Sequence, residues 1–179
     1  MKKLSIVLIT VFAFALCFAG CSGSGGAPAA SEAPAQEQTT PKPAVSMFDL
    51  AEALKKTYDG STALSFVSSS DDDPAGKLAY VSDIDYEKVD SFLMLYAEDG
   101  SKSADEIVVI ALKDEADSET AVASLKSHVK SRKDLYAVYE PGFVKAVERA
   151  EVFSEGRYAV LIISENASAV KEAFYDFIK

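Results

Sequence analysis

Few side chains in this sequence could do chemistry, and their spacing limits what that chemistry can be. His128 is the single histidine. A catalytic or metal-binding histidine needs company, and neither a second histidine nor a cysteine stands near it in the chain. It follows Leu125 by three positions and Ala121 by seven, on the border of a helical apolar seam, so its expected role is a boundary histidine hydrogen-bonded to backbone. Tyr136 and Tyr139, with Pro141 and Phe143, make an aromatic-rich corner. Tyrosines supply stacking area with a polar tip, which suits a glycan or peptide platform; the same residues turned inward would be an ordinary capped helix start at Pro141. Asp71, Asp72 and Asp73 offer carboxylates to a cation but lack the alternating spacing and central glycine of a calcium loop, and directly before Pro74 they read as a helix start. His128, Tyr136 and Tyr139 are therefore the binding candidates, with no catalytic, cofactor or metal residue assigned.

Several enzyme classes are excluded by motif. The chain has no G-x-S-x-G elbow, no H-E-x-x-H and no G-x-x-x-x-G-K phosphate loop. Carboxylate-only hydrolysis of wall material stays open, since any pair among 28 acidic residues goes unnoticed in a sequence.

The cysteines carry a different chemistry. Lys2 and Lys3 precede the apolar run Leu4 to Phe18, and the small residues Ala19 and Gly20 precede Cys21, the layout of a cleaved leader. The run of about 15 residues is shorter than the roughly 20 of a spanning helix. The stretch Leu16-Cys17-Phe18-Ala19-Gly20-Cys21 resembles the bacterial lipobox, departing from it at Phe18 where leucine is usual. That resemblance implies a diacylglyceryl group on Cys21 and cleavage between Gly20 and Cys21. Cys17 would be discarded with the leader, so Cys21 has no internal partner for a disulfide. Two acyl chains suffice for stable anchoring, here on the outer face of the cytoplasmic membrane.

Charge bounds the partners. The chain carries 18 basic and 28 acidic residues, a net charge of −10. Loss of the leader with Lys2 and Lys3 leaves 16 against 28, or −12. Such a surface is repelled by nucleic acid and by anionic headgroups, which leaves the lipid to hold the protein at the membrane.

The elements that must position these residues follow in order. After the leader at 1–20, positions 21–44 are mostly Gly, Ala, Ser, Pro, Gln and Thr with no large apolar residue, which predicts a disordered tether with a reach of roughly 25–30 Å. Positions 45–179 hold one domain, too short for the two lobes of a periplasmic-type solute receptor. Ser46 is an N-cap for a helix carrying Leu50, Ala51, Leu54 and Tyr58, with Gly60 as its stop. Leu64 to Val67 could be a short strand, and Asp85 caps a turn. Val89 to Ala97 and Glu106 to Leu112 read as a hairpin whose continuous apolar runs imply strands covered on both faces. A helix runs from Ser118 to Arg132 or beyond. Val152 to Ser154 and Tyr158 to Ser164 form a second hairpin turning at Glu155-Gly156, and a last helix carries Val170, Ala173, Phe174, Phe177 and Ile178, with Asn166 as its cap.

The sequence thus predicts an α+β fold: two ββα units giving a four-stranded, mostly antiparallel sheet with helices packed on it, plus the N-terminal helix. That helix or a second subunit, in a homodimer, would cover the remaining sheet face.

Ala104-Asp105-Glu106-Ile107-Val108-Val109-Ile110, the long helix, Tyr139-Glu140-Pro141, Gly156-Arg157-Tyr158, Leu161, Ser164 and Phe174 together resemble a family of Gram-positive lipoproteins, domain of unknown function 4358. The resemblance covers about Asp85 to Phe177 and includes the leader and tether. Family members often carry an arginine where this chain has His128. The resemblance implies the address and the α+β domain but no activity, cofactor or substrate. The expected function is a lipid-anchored, non-catalytic binding or accessory module of the cell envelope, facing an envelope protein or wall polymer.

Overall fold

The computed structural model describes residues 45–179. The leader, the cleavage site at Gly20 and Cys21, and the tether lie outside the described residues. Within them the order is α1 (Met47–Thr57), β1 (Leu64–Ser68), α2 (Pro74–Leu78), β2 (Val89–Ala97), β3 (Glu106–Leu112), α3 (Ser118–Tyr139), α4 (Val144–Glu148), β4 (Glu151–Glu155), β5 (Tyr158–Ile163) and α5 (Ala167–Ile178).

One sheet of five strands, ordered β1-β2-β3-β5-β4, replaces the expected four. Every neighbouring pair is antiparallel. The fifth strand is β1, which pairs along the outer side of β2 from Leu64 opposite Ala97 to Ser68 opposite Leu93. Its five residues are mostly half-buried, as befits an edge strand, and this is why its apolar signal is weak.

β3 lies in the centre, and all seven of its residues are buried. Its continuous apolar run has the cause expected for it, a helical layer on each face. Even-numbered Val108, Ile110 and Leu112 join Phe92, Met94, Leu161 and Ile163 beneath α3, where Ala121, Val122 and Leu125 pack. Odd-numbered Ile107, Val109 and Ala111 join Leu93, Leu95, Val160 and Ile162 on the opposite side, closed by Leu50 and Leu54 of α1 with Val170 and Phe174 of α5. The period of two along a strand sorts one sequence into two cores. Burial of each such aliphatic side chain stabilises the fold by about 1.5–3 kcal/mol. The second sheet face is thus covered by α1 and α5 of the same chain.

Local signals set the element ends. Ser46 Oγ accepts from the Asp49 amide at the start of α1, and Asp85 from the Glu87 amide. Asp73, at φ 49°, caps α2 by accepting from the Gly76 amide, which is the helix-start role read from the aspartate run. Gly156 turns the β4–β5 hairpin at φ 51°. At Asn166 the side chain does something other than cap α5: its amide donates to the Thr57 carbonyl at 2.7 Å and its carbonyl accepts from Ser164 Oγ at 2.8 Å, tying the end of α1 to the end of β5.

Among the described residues, no helix is long and apolar enough to cross a membrane.

Candidate functional site

Past its first two turns, α3 is no longer fully buried, and its inward face becomes polar. His128, Arg132 and Tyr136 follow one another at intervals of four, so they stack on one side of the helix. That side overhangs the end of the sheet where β2 finishes and β3 begins. Tyr96 of β2 sits directly opposite Glu106 of β3 in the antiparallel register, and Met94 opposite Val67 of β1. Strand alternation turns Met94, Tyr96 and Glu106 toward α3. The end of α2 and the turn after it bring Lys77, Tyr80 and Val81 to the far side. Together these walls enclose a half-open cavity of about 520 Å³, with Asp105, Ser103 and Gly100 along the β2–β3 loop. This is within the roughly 300–1,000 Å³ typical of small-molecule sites.

Glu106 is the base of the cavity and is only 5 % exposed. A buried carboxylate must be paired, and two groups from α3 do this. His128 Nε2 lies 2.9 Å from Glu106 Oε2, and Arg132 Nε lies 3.4 Å from the same oxygen. Arg132 also donates from Nη2 to the Ala104 carbonyl and to the Tyr136 hydroxyl, each at 3.0 Å. Its Nε has no well-aligned hydrogen bond. The guanidinium lies 5.1 Å from the centre of the Tyr136 ring, a cation–π distance. Both contacts to Glu106 run to Oε2, which leaves Oε1 as a further acceptor.

Asp105 is held from the other side. The Tyr58 hydroxyl, just past α1, donates to Asp105 Oδ2 at 2.6 Å. Burial, and after it the hydrogen bond to this carboxylate, push the Tyr58 phenol up to about 12. Oδ1 of Asp105 remains. The cavity therefore holds the Glu106 carboxylate, one guanidinium and the Lys77 ammonium, with Asp105 on its border and tyrosine rings at Tyr80, Tyr96 and Tyr136. Tyr80 is 83 % exposed and Tyr96 40 %, unusual for large rings with no aromatic partner.

Of the three binding candidates, the structure brings His128 and Tyr136 together and leaves Tyr139 apart. His128 bonds a side-chain carboxylate rather than the backbone expected for it, because β3 presents Glu106 within its reach. Tyr136 packs edge-on against Phe143, with centroids 5.7 Å apart, so part of the corner does turn inward. Tyr139, at the last turn of α3, is 72 % exposed and lines no part of the cavity. Sequence reading missed Glu106, Arg132, Asp105, Tyr80 and Tyr96. One signal was available: Asp105 and Glu106 open a run buried on both faces, so a charge there had to find a partner. Arg132, four residues after His128, was the cation within reach.

Among the described residues, no group of three or more His, Cys, Asp or Glu side chains is placed to hold a metal ion. His128 has an orienting carboxylate on one nitrogen, but no serine, threonine or cysteine is hydrogen-bonded to it.

No curated protein and no solved structure matches the chain. A family model described as a domain of unknown function does match, over residues 64–164, a span that holds β1 through β5 and with them every cavity residue named above. On that match, which covers more than half of the sequence, the chain belongs to the DUF4358 family.

Proposed function

We propose that this protein is a lipid-anchored, non-catalytic binding or accessory module of the bacterial cell envelope, held to the outer face of the cytoplasmic membrane through diacylglyceryl-Cys21. The cavity at the Glu106 end of the sheet is where it takes its ligand. The observation that carries this reading is the pairing of a pre-formed cavity with the exposed tyrosines Tyr80 and Tyr96, which have no aromatic partner among the described residues. Large rings left at the mouth of a cavity cost solvation and gain nothing in the fold, so they point to a surface kept for contact.

Carboxylate-only hydrolysis of wall material is the other reading, and His128 facing a carboxylate is the observation on its side. Against it, Asp105 and Glu106 are neighbours on one extended stretch, bonded by Tyr58 on one side of the sheet and by His128 on the other, so the two carboxylates do not converge on one reacting bond as a general acid–base pair must.

Two measurements on cells test the proposal. Cys21→Ser should move the protein out of the membrane fraction or leave its leader uncleaved; membrane retention at the mature size would overturn the anchor. A benzophenone amino acid placed at Tyr96 should capture a reproducible adduct that the same group at Tyr139 does not. Equal capture at both positions, or none at Tyr96, would overturn the cavity as the binding site.

A further inference from the structure

The cavity's own inventory narrows its ligand, granted the reading of it as a binding site. Its formal charges balance: Glu106 against Arg132, and Lys77 against Asp71 just outside the lining. Arg132 is already committed to Glu106, Ala104 and Tyr136, and Lys77 Nζ lies 3.8 Å from Asp71, so no cation is left free to seat a phosphate or carboxylate. An anionic polymer would also approach a surface of net charge −10. A cationic ligand would meet Arg132 beside the Glu106 carboxylate it sought.

What the cavity does offer is acceptors and flat rings. Oε1 of Glu106 is the second oxygen of a carboxylate whose first is taken by His128. Carboxylate oxygens fixed in this way accept from hydroxyl or amide donors with charge-assisted strength. Tyr80 and Tyr96 line the cavity with exposed rings, and Tyr136 joins them from α3. Aliphatic Val67, Val81 and Met94 complete the wall. Gly100 stands at the rim, with nothing within 4 Å of the place a Cβ would occupy, so a chain longer than the cavity can continue outward.

Neutral overall, donor-seeking at the base, aromatic at the mouth and open at one end, the cavity has the chemistry of a saccharide site. We infer that it binds an uncharged sugar unit of a glycan chain, whose hydroxyls donate to Glu106 and whose apolar ring face lies on Tyr80 and Tyr96.

The test is calorimetric titration of the full chain in detergent micelles with neutral oligomers of N-acetylglucosamine, beside glycerol phosphate as the anionic probe and spermidine as the cationic one. The neutral oligomer should bind saturably and the other two should not. In Tyr80→Ala/Tyr96→Ala, shown to be folded by its circular dichroism since Tyr96 is only 40 % exposed, affinity should fall about tenfold as two stacking contacts are lost. Absent saccharide binding, tighter binding of either charged probe, or an affinity unmoved in the double variant would each overturn the inference. The two proposals fail separately: if benzophenone at Tyr96 captures a cellular ligand while no oligomer binds, the saccharide falls and the binding site stands. If neither is seen, both fall.

Discussion

Glu106→Gln isolates the charge at the base of the cavity, since it keeps the side chain's shape and removes one negative charge. In the wild type, Glu106, Arg132 and His128 have side chains 6 %, 23 % and 14 % exposed. Removing one member of a fully buried pair costs about 3–5 kcal/mol, because the survivor is left as an uncompensated charge. Arg132 is less buried than that and keeps its bonds to the Ala104 carbonyl and the Tyr136 hydroxyl, so the loss falls to about 2–3 kcal/mol. For a domain of this size that lowers the melting midpoint by about 6–12 °C. Urea unfolding at constant m-value is the direct measurement. In a double-mutant cycle with Arg132→Gln, the two losses should be less than additive, with a coupling of about 1–2 kcal/mol. A loss under about 0.5 kcal/mol, or additive losses, would refute the reasoning by showing that the carboxylate is solvated and the pair contributes nothing.

Other perturbations test other parts of the structure. Tyr58 has its pKa raised from 10.0 to about 12; the folded state therefore holds this proton more tightly than the unfolded one, and its contribution is intact below pH 10.0 and lost as pH climbs through about 12. Tyr58→Phe should flatten that part of the stability profile, and tyrosinate absorbance should show one late-titrating tyrosine fewer. Gly156→Ala should cost about 1 kcal/mol by thermal melting, for its φ of +51° strains any side chain although nothing crowds the position. Ser124→Ala removes the hydroxyl that accepts from the Asp83 amide at 2.7 Å and bonds Ser82 at 2.9 Å. Leaving the Asp83 amide without that acceptor should cost about 1–3 kcal/mol in denaturant unfolding, with faster amide exchange at Asp83.

How much of this was legible in the sequence depended on how local each signal was. β2 and β3 begin and end where their apolar runs do, since a strand buried on both faces writes its limits in hydrophobicity. β1 was legible as a short strand but not as a member of the sheet, because half-buried edge residues flanked by serines carry little pattern and their partner lies beyond α2. The length of α3 was open past Arg132, where the apolar seam gives way to residues such as Lys133 and Tyr136, whose partners Glu148 and Phe143 lie in the segment that follows the helix. The cavity was hidden for a related reason. Its parts come from β1, α2, β2, β3 and α3, and the approach of His128 to Glu106 is a product of β3 pairing centrally in the sheet. Tyr80 and Tyr96 stand out only once burial is known, because an exposed tyrosine and a core tyrosine look alike in a string of letters.

The family match runs from Leu64 to Ser164, and the helices that close the second sheet face, α1 and α5, fall on either side of it. A fragment cut at the limits of the match would keep all five strands and the cavity residues, yet it would present Leu93, Leu95, Ile107, Val109, Val160 and Ile162 to water as one continuous apolar sheet face. Such a fragment should aggregate on expression, whereas a chain from Val45 to Lys179 should stay in solution. The stretch by which relatives are recognised is thus shorter than the stretch that folds, and in any relative the residues flanking the match should be searched for two amphipathic helices, whatever their sequence.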